Sequence, residues 1–193
     1  MKKPYVIKEN HKLYIDTGIQ KVVNILFKYP DKEFSLSDLA KEAGVAKANI
    51  GAMLEQLNRA NFLEIIRLSK IWRIKARQES WEFRRAKMIY NYNMIYQADL
   101  VNFLNDYYKN PKAVILFGSF RRGEDITNSD IDIAVETDRG EYRIEEIKEL
   151  SEIENFMERR IQIHLFNRKN VDINVFNNIA NGIVLSGFLE VKP

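Results

Sequence analysis

Two apolar runs, Ala113-Val114-Ile115-Leu116-Phe117 and Ile131-Asp132-Ile133-Ala134-Val135, stand on either side of one polar segment, and this arrangement constrains the chain more than any other. The first run is continuous and bounded by Gly118, which predicts a strand buried on both faces. The second interrupts its apolar character with a single acid. Between them lies Gly118-Ser119-Phe120-Arg121-Arg122-Gly123-Glu124-Asp125-Ile126-Thr127-Asn128-Ser129-Asp130. Gly118 and Ser119 add little bulk at the strand end, so backbone N–H groups and a hydroxyl are expected to approach phosphate oxygens there. Asp130 and Asp132 are two residues apart, which puts both carboxylates on one face of a strand. Neighbouring carboxylates repel unless a cation lies between them, and such oxygen ligands suit Mg²⁺ or Mn²⁺ bridging to substrate phosphates. Arg121 and Arg122 are placed to meet the remaining charge of a triphosphate.

These residues resemble the nucleotidyltransferase superfamily related to DNA polymerase β, above all its small members, the minimal nucleotidyltransferases. The shared motif is Gly118-Ser119, Gly123 and Asp130-Ile131-Asp132, with Ser129 ahead of the pair. The resemblance implies a small α/β domain with a mixed sheet over residues 111–193, closed by a helix and turn across Ile179-Ala180-Asn181-Gly182-Ile183-Val184-Leu185-Ser186-Gly187. It implies transfer of a nucleotidyl group from an NTP, ATP in the first instance, to a hydroxyl. Asp130 and Asp132 would hold magnesium and act in catalysis, while Gly118, Ser119, Arg121, Arg122 and Ser129 would bind the nucleotide. It also implies a third carboxylate on a later strand. After an acidic helix expected over about 143–157, the candidate strand Ile161–Phe166 presents Gln162 and His164 instead. Gln162 would serve as a neutral metal ligand and His164 as a catalytic base, and the sequence leaves open which of them holds the missing position. Asp172 opens the following helix and is no substitute.

Residues 1–79 read differently. Thr17 caps a helix with Ile19, Val22, Val23 and Leu26 on one stripe, and Pro30-Asp31 stops it. Ser37 is the expected cap of a short second helix, Gly44 supplies a turn, and Ile50, Met53, Leu54 and Leu57 give a third helix its buried face. The stretch from Phe62 to Ala76, broken at Ser69-Lys70, predicts a hairpin. This order resembles a winged-helix domain. In that resemblance the third helix offers Lys47, Asn49 and Gln56 to duplex DNA, and the hairpin offers Lys70, Arg73 and Lys75 to phosphates. The alternative is a structural or dimerising module. A single connecting helix is expected over residues 80–110, so the fold class is α+β: an N-terminal winged helix-turn-helix, a long helix and the small α/β domain. Some archaeal proteins resemble this arrangement.

Charge supports the division. Residues 1–79 carry 15 Lys and Arg against 9 Asp and Glu, whereas residues 80–193 carry 15 against 18. The basic half suits a polyanion. The absence of cysteine excludes a disulfide framework, an Fe–S cluster and a thiolate zinc site. No apolar run approaches the length of a membrane span, and a cytoplasmic protein without membrane contact is expected. The missing third acid favours the rival to an enzyme, a DNA-binding regulator whose second domain binds nucleotide or partner without turnover. The minimal nucleotidyltransferases are often paired with a small helical toxin-like protein, so an antitoxin bound to its own promoter would unite the two readings; a homodimer is compatible with both.

Overall fold

In a computed structural model that describes residues 16–68, 71–138 and 140–191, the chain divides after Tyr90 into two compact units. The first begins with α1 (Gly18–Lys28), whose N-cap Thr17 accepts a hydrogen bond from the Gln20 amide at 3.3 Å and whose Val22, Val23, Leu26 and Phe27 are buried. A three-residue strand, β1 (Glu33–Ser35), precedes α2 (Leu36–Glu42). Its cap is Ser35 rather than the expected Ser37: the Ser35 hydroxyl accepts from the Asp38 amide at 3.1 Å and donates to the Asp38 carboxylate at 2.7 Å. α3 (Lys47–Arg59) buries Ile50, Leu54 and Leu57. A hairpin follows, β2 (Leu63–Leu68) against β3 (Ile71–Ala76), in a register that pairs Leu63 with Ala76 and Leu68 with Ile71. Lys70 lies outside the described residues. β1 joins the free edge of β3, so the antiparallel sheet runs β1-β3-β2. Phe34, Leu39, Ile50, Leu54, Leu63, Ile74 and Phe83 fill the core between this sheet and the helices.

The helix expected over 80–110 is two helices, α4 (Trp81–Gln97) and α5 (Leu100–Tyr107). Asp99 takes a left-handed conformation at φ 58°, which a short polar side chain tolerates better than most. The break re-aims the chain, and Leu100, Val101, Phe103 and Leu104 are buried in the core of the second unit.

That unit contains β4 (Ala113–Phe117), a short helix α6 (Gly118–Arg122), β5 (Ile131–Glu136), β6 (Arg143–Glu145), α7 (Ser151–Met157), β7 (Ile161–Phe166), α8 (Ile173–Ala180) and β8 (Ile183–Gly187). The sheet order is β6-β7-β5-β4-β8; β5 and β7 run parallel and the other neighbours antiparallel, so the sheet is mixed and the chain as a whole α+β. The acidic helix expected over 143–157 resolves into the edge strand β6, a 3₁₀ turn at Lys148–Leu150 and α7. The expected closing helix and turn is α8 followed by a second edge strand, β8, paired to β4. Alternation along the strands loads both faces of the sheet. Val114, Leu116, Ile133, Val135, Ile163 and Leu165 pack with α5 and α7, and Ala113, Ile115, Ala134 and Phe166 pack with Ile179 of α8. No helix among the described residues is long and apolar enough to cross a membrane.

Candidate functional site

The face of the sheet that carries Ala134 and Phe166 ends, at the start of β5, in the two carboxylates. Asp132 lies opposite Phe117 of β4 and beside Gln162 of β7, and Ala134 lies beside His164. The parallel register, Ile131 with Ile161, brings the residues just ahead of each strand together as well.

Every partner resolved for the pair offers an N–H. The Gln162 amide donates to Asp130 Oδ2 at 2.5 Å and the Arg160 guanidinium to Oδ1 at 3.3 Å. His164 Nε2 stands 3.3 Å from Asp132 Oδ1, while its Nδ1 lies 2.7 Å from the Tyr142 hydroxyl. A neutral imidazole has one N–H, and a carboxylate only accepts, so that N–H belongs on Nε2 and the Tyr142 hydroxyl donates to Nδ1. Burial, with the Asp132 charge second, pushes the Tyr142 pKa up, in keeping with a hydroxyl that stays protonated. The imidazole is 9% exposed and its edge meets the Phe117 ring at 4.9 Å. The sheet therefore brings together four of the residues singled out from sequence, Asp130, Asp132, Gln162 and His164.

Gly118 is the fifth, and its role is steric. Its φ of +74° is left-handed, and a Cβ there would stand 2.1 Å from Asp132 Oδ2. Ser119 does not sit in an open loop but in α6, where its carbonyl accepts from the Glu124 amide at 3.0 Å. Arg121 is half-buried, and Arg122 is exposed and paired with Glu124 at 2.7 Å. The Ser129 hydroxyl accepts from the Ile126 amide at 2.9 Å and so closes the turn that delivers Asp130.

In the first unit Lys47, Asn49 and Gln56 are all exposed along α3. Arg73 is held by Glu33 through two hydrogen bonds, at 2.5 and 2.8 Å; this raises the Arg73 pKa and lowers that of Glu33. Lys75 is exposed, with Glu33 opposite it on β1 and Glu64 opposite it on β2. The hairpin face is thus mixed in sign rather than uniformly basic.

The segment that holds the carboxylate pair and its partners is the one that matches a known family. Residues 98–187 match the polymerase beta nucleotidyltransferase family model. The match to this nucleotidyltransferase-like domain starts at Ala98, ahead of the boundary expected from sequence, and thereby takes in α5, which packs into the core of the sheet. Comparison with curated proteins and with solved structures gave no match.

Domains of the matched family commonly use divalent metals, and the donor set tests whether these residues fit one. Among the described residues no group of three or more His, Cys, Asp or Glu could hold an ion by itself. Mg²⁺, however, is often held by only one or two carboxylates together with substrate phosphates. Asp132 on β5 and Asp130 just ahead of it supply two, with Gly118 leaving Asp132 room. The two carboxylates fit an ion that takes its remaining ligands from outside the chain. Sequence reasoning missed Tyr142 and Arg160; Arg160 stands one residue ahead of β7 as Asp130 stands one ahead of β5, a correspondence that only the register of the two strands reveals.

Proposed function

We propose that the nucleotidyltransferase-like domain binds a nucleoside triphosphate, ATP in the first instance, with magnesium, and that this binding regulates a winged helix, residues 18–76, which engages duplex DNA. The observation that carries the reading is the pairing of Asp130 and Asp132 at the start of β5, with Asp132 packed against Gly118, where an added Cβ would stand 2.1 Å from its Oδ2. Bound there, the metal would offset the carboxylate and triphosphate charges and polarise the α-phosphate. This chain's residues do the rest. Asp130 and Asp132 hold the complex, His164 orients Asp132, the backbone at Gly118 and Ser119 lies against the phosphates, and Arg121 and Arg122 meet their outer charge. On α3, Lys47 meets phosphate while Asn49 and Gln56 reach base edges.

Turnover is slow in this reading. The β7 positions facing the pair hold Gln162 and His164, both donating N–H to the carboxylates, and the loss of a general base alone costs roughly 10²–10⁴ in rate. A cytoplasmic regulator of the antitoxin kind, covering a small helical partner and binding its own promoter, uses both units without requiring rapid chemistry. A second reading, transfer to a hydroxyl with His164 as base, is favoured by the reach of the imidazole to the pair, 3.3 Å from Asp132 Oδ1, and requires the Tyr142 hydroxyl to give up Nδ1.

Calorimetry of Mg-ATP binding tests the first reading: wild type should bind, and Asp130→Ala with Asp132→Ala should abolish binding without unfolding the domain. Equal affinities would sink it. Incorporation of label from α-³²P-ATP into protein or RNA separates the second: Gln162→Asp should raise a low rate, whereas rapid wild-type transfer that Gln162→Asp and His164→Asp both diminish would favour the enzyme.

A further inference from the structure

A positive side chain already occupies the place where a cation would meet Asp130. The Arg160 guanidinium lies 3.3 Å from Oδ1 while Gln162 takes Oδ2, so both oxygens are engaged from within the chain. Asp130 is 25% exposed and Arg160 75% exposed, so the carboxylate is partly sheltered while the guanidinium is free to leave it. Arg160 also has somewhere to go. It stands between two hollows of about 380 Å³ each, one lined by Thr127, Ser129 and Asp130, the other by Lys148, Glu154 and Gln162. β7 cannot drift to follow it, because the Ile161 amide is anchored by the Glu154 carboxylate at 2.8 Å and the β5 register holds from the first residue.

We propose that Arg160 is a tethered counter-ion for Asp130 that keeps bare divalent cations off the carboxylate pair, so that the site accepts a metal only when it arrives with phosphates able to draw the guanidinium away. The inference rests on the proposed reading of Asp130 as a carboxylate for the metal of a nucleotide complex. It explains how two adjacent acids stay compatible with the fold without a resident ion: Gln162 donates a neutral hydrogen bond, and Arg160 supplies the positive charge that offsets their repulsion. A doubly charged ion at Asp130 would sit within about 5 Å of the unit charge on Arg160, and their repulsion even in water-like dielectric corresponds to about tenfold in affinity.

Titration of bare Mn²⁺ into the full chain, read as loss of the free-ion electron paramagnetic resonance signal, tests this. Arg160→Gln should bind Mn²⁺ about tenfold more tightly than wild type, Arg160→Lys should remain as weak as wild type, and Arg160→Gln with Asp130→Asn should lose the gain. Equal affinities for wild type and Arg160→Gln, or a gain that survives Asp130→Asn, would overturn the proposal. Calorimetry of Mg-ATP in the same variants separates it from the reading beneath it. Mg-ATP that binds wild type but not Asp130→Ala with Asp132→Ala, alongside unchanged Mn²⁺ affinity in Arg160→Gln, removes the counter-ion alone. An absence of both Mg-ATP and Mn²⁺ binding in every variant removes both.

Discussion

Replacing Gly118 by alanine asks two things of the chain at once, and the structure lets them be separated. The backbone at φ +74° is left-handed, which costs a non-glycine residue about 1–2 kcal/mol. The added methyl would also stand 2.1 Å from Asp132 Oδ2, far inside contact distance, so the carboxylate must retreat by about 1 Å and its 3.3 Å contact with His164 Nε2 opens. Losing a hydrogen bond to a charged group costs about 1.5–3 kcal/mol, the lower end applying here because Asp132 is partly exposed. Gly118→Ala should therefore destabilise the second unit by about 3 kcal/mol. Gly44→Ala is the reference for the backbone alone, since its φ is +61° and nothing lies within 4 Å of the new methyl; it should cost the first unit about 1–2 kcal/mol. Both tryptophans, Trp72 and Trp81, belong to the first unit, so fluorescence would not see the change at Gly118. Amide hydrogen exchange along β4 and β5 would. In an Asp132→Ala background the cost of Gly118→Ala should fall to that of Gly44→Ala. A cost for Gly118→Ala that matches Gly44→Ala in the wild-type background, or that is undiminished without the Asp132 carboxylate, refutes the steric argument.

Other outcomes follow from the pairings of single residues. Glu33→Ala releases Arg73 from its two hydrogen bonds, so duplex binding should tighten at low salt and the slope of log affinity against log salt should steepen by about 0.9, while Lys47→Ala should make it shallower by a similar amount; gel shifts at several salt concentrations that show neither effect would point to a module that does not touch DNA. Burial raises the Glu136 pKa above the ordinary 4.5, against the opposing pull of Arg168 at 3.6 Å. The folded state then holds this proton more tightly than the unfolded chain, so the contribution of Glu136 to stability is fullest below 4.5 and is lost as pH rises through the folded value. Glu136→Gln should lack that fall, and urea midpoints of the second unit for wild type and variant that stay parallel from about pH 4 to 7 would contradict it.

The elements most legible in the sequence were those whose residues speak for themselves. The run 113–117 reads as a strand because it is apolar throughout, and the spacing of Asp130 and Asp132 puts both on one face whatever lies next to them. Thr17 caps α1 and Asp172 caps α8 through local hydrogen bonds that depend only on the next three residues. β1 and β6 were illegible because each has three residues and takes its identity from a neighbouring strand: Ser35 lies opposite Arg73, and Ile144 opposite His164. The break between α4 and α5 turns on one backbone angle at Asp99, in a stretch whose apolar pattern runs on through it. Arg160 was missed for the same reason as β6. Its meaning comes from the register of β5 with β7, a pairing of residues about thirty apart that local periodicity does not encode. The expected phosphate role of Arg73 depended on the same kind of hidden neighbour, since Glu33 reaches it only once β1 has docked.

The parallel pairing of β5 with β7 also sets the order in which the site comes into being. β4 and β5 are antiparallel neighbours joined by residues 118–130, so that hairpin can close as soon as β5 has left the ribosome. The donors to the two acids, Arg160, Gln162 and His164, come after the crossover formed by residues 137–159 and have not yet emerged at that moment. At about 5–20 residues per second, the chain takes roughly 2–6 s to deliver them. Throughout that interval the hairpin holds Asp130 and Asp132 without any of the three side chains that donate to them in the finished fold. The arrival of β7 then supplies them, so whatever selectivity the finished pocket has is conferred by the last of its inner strands to emerge.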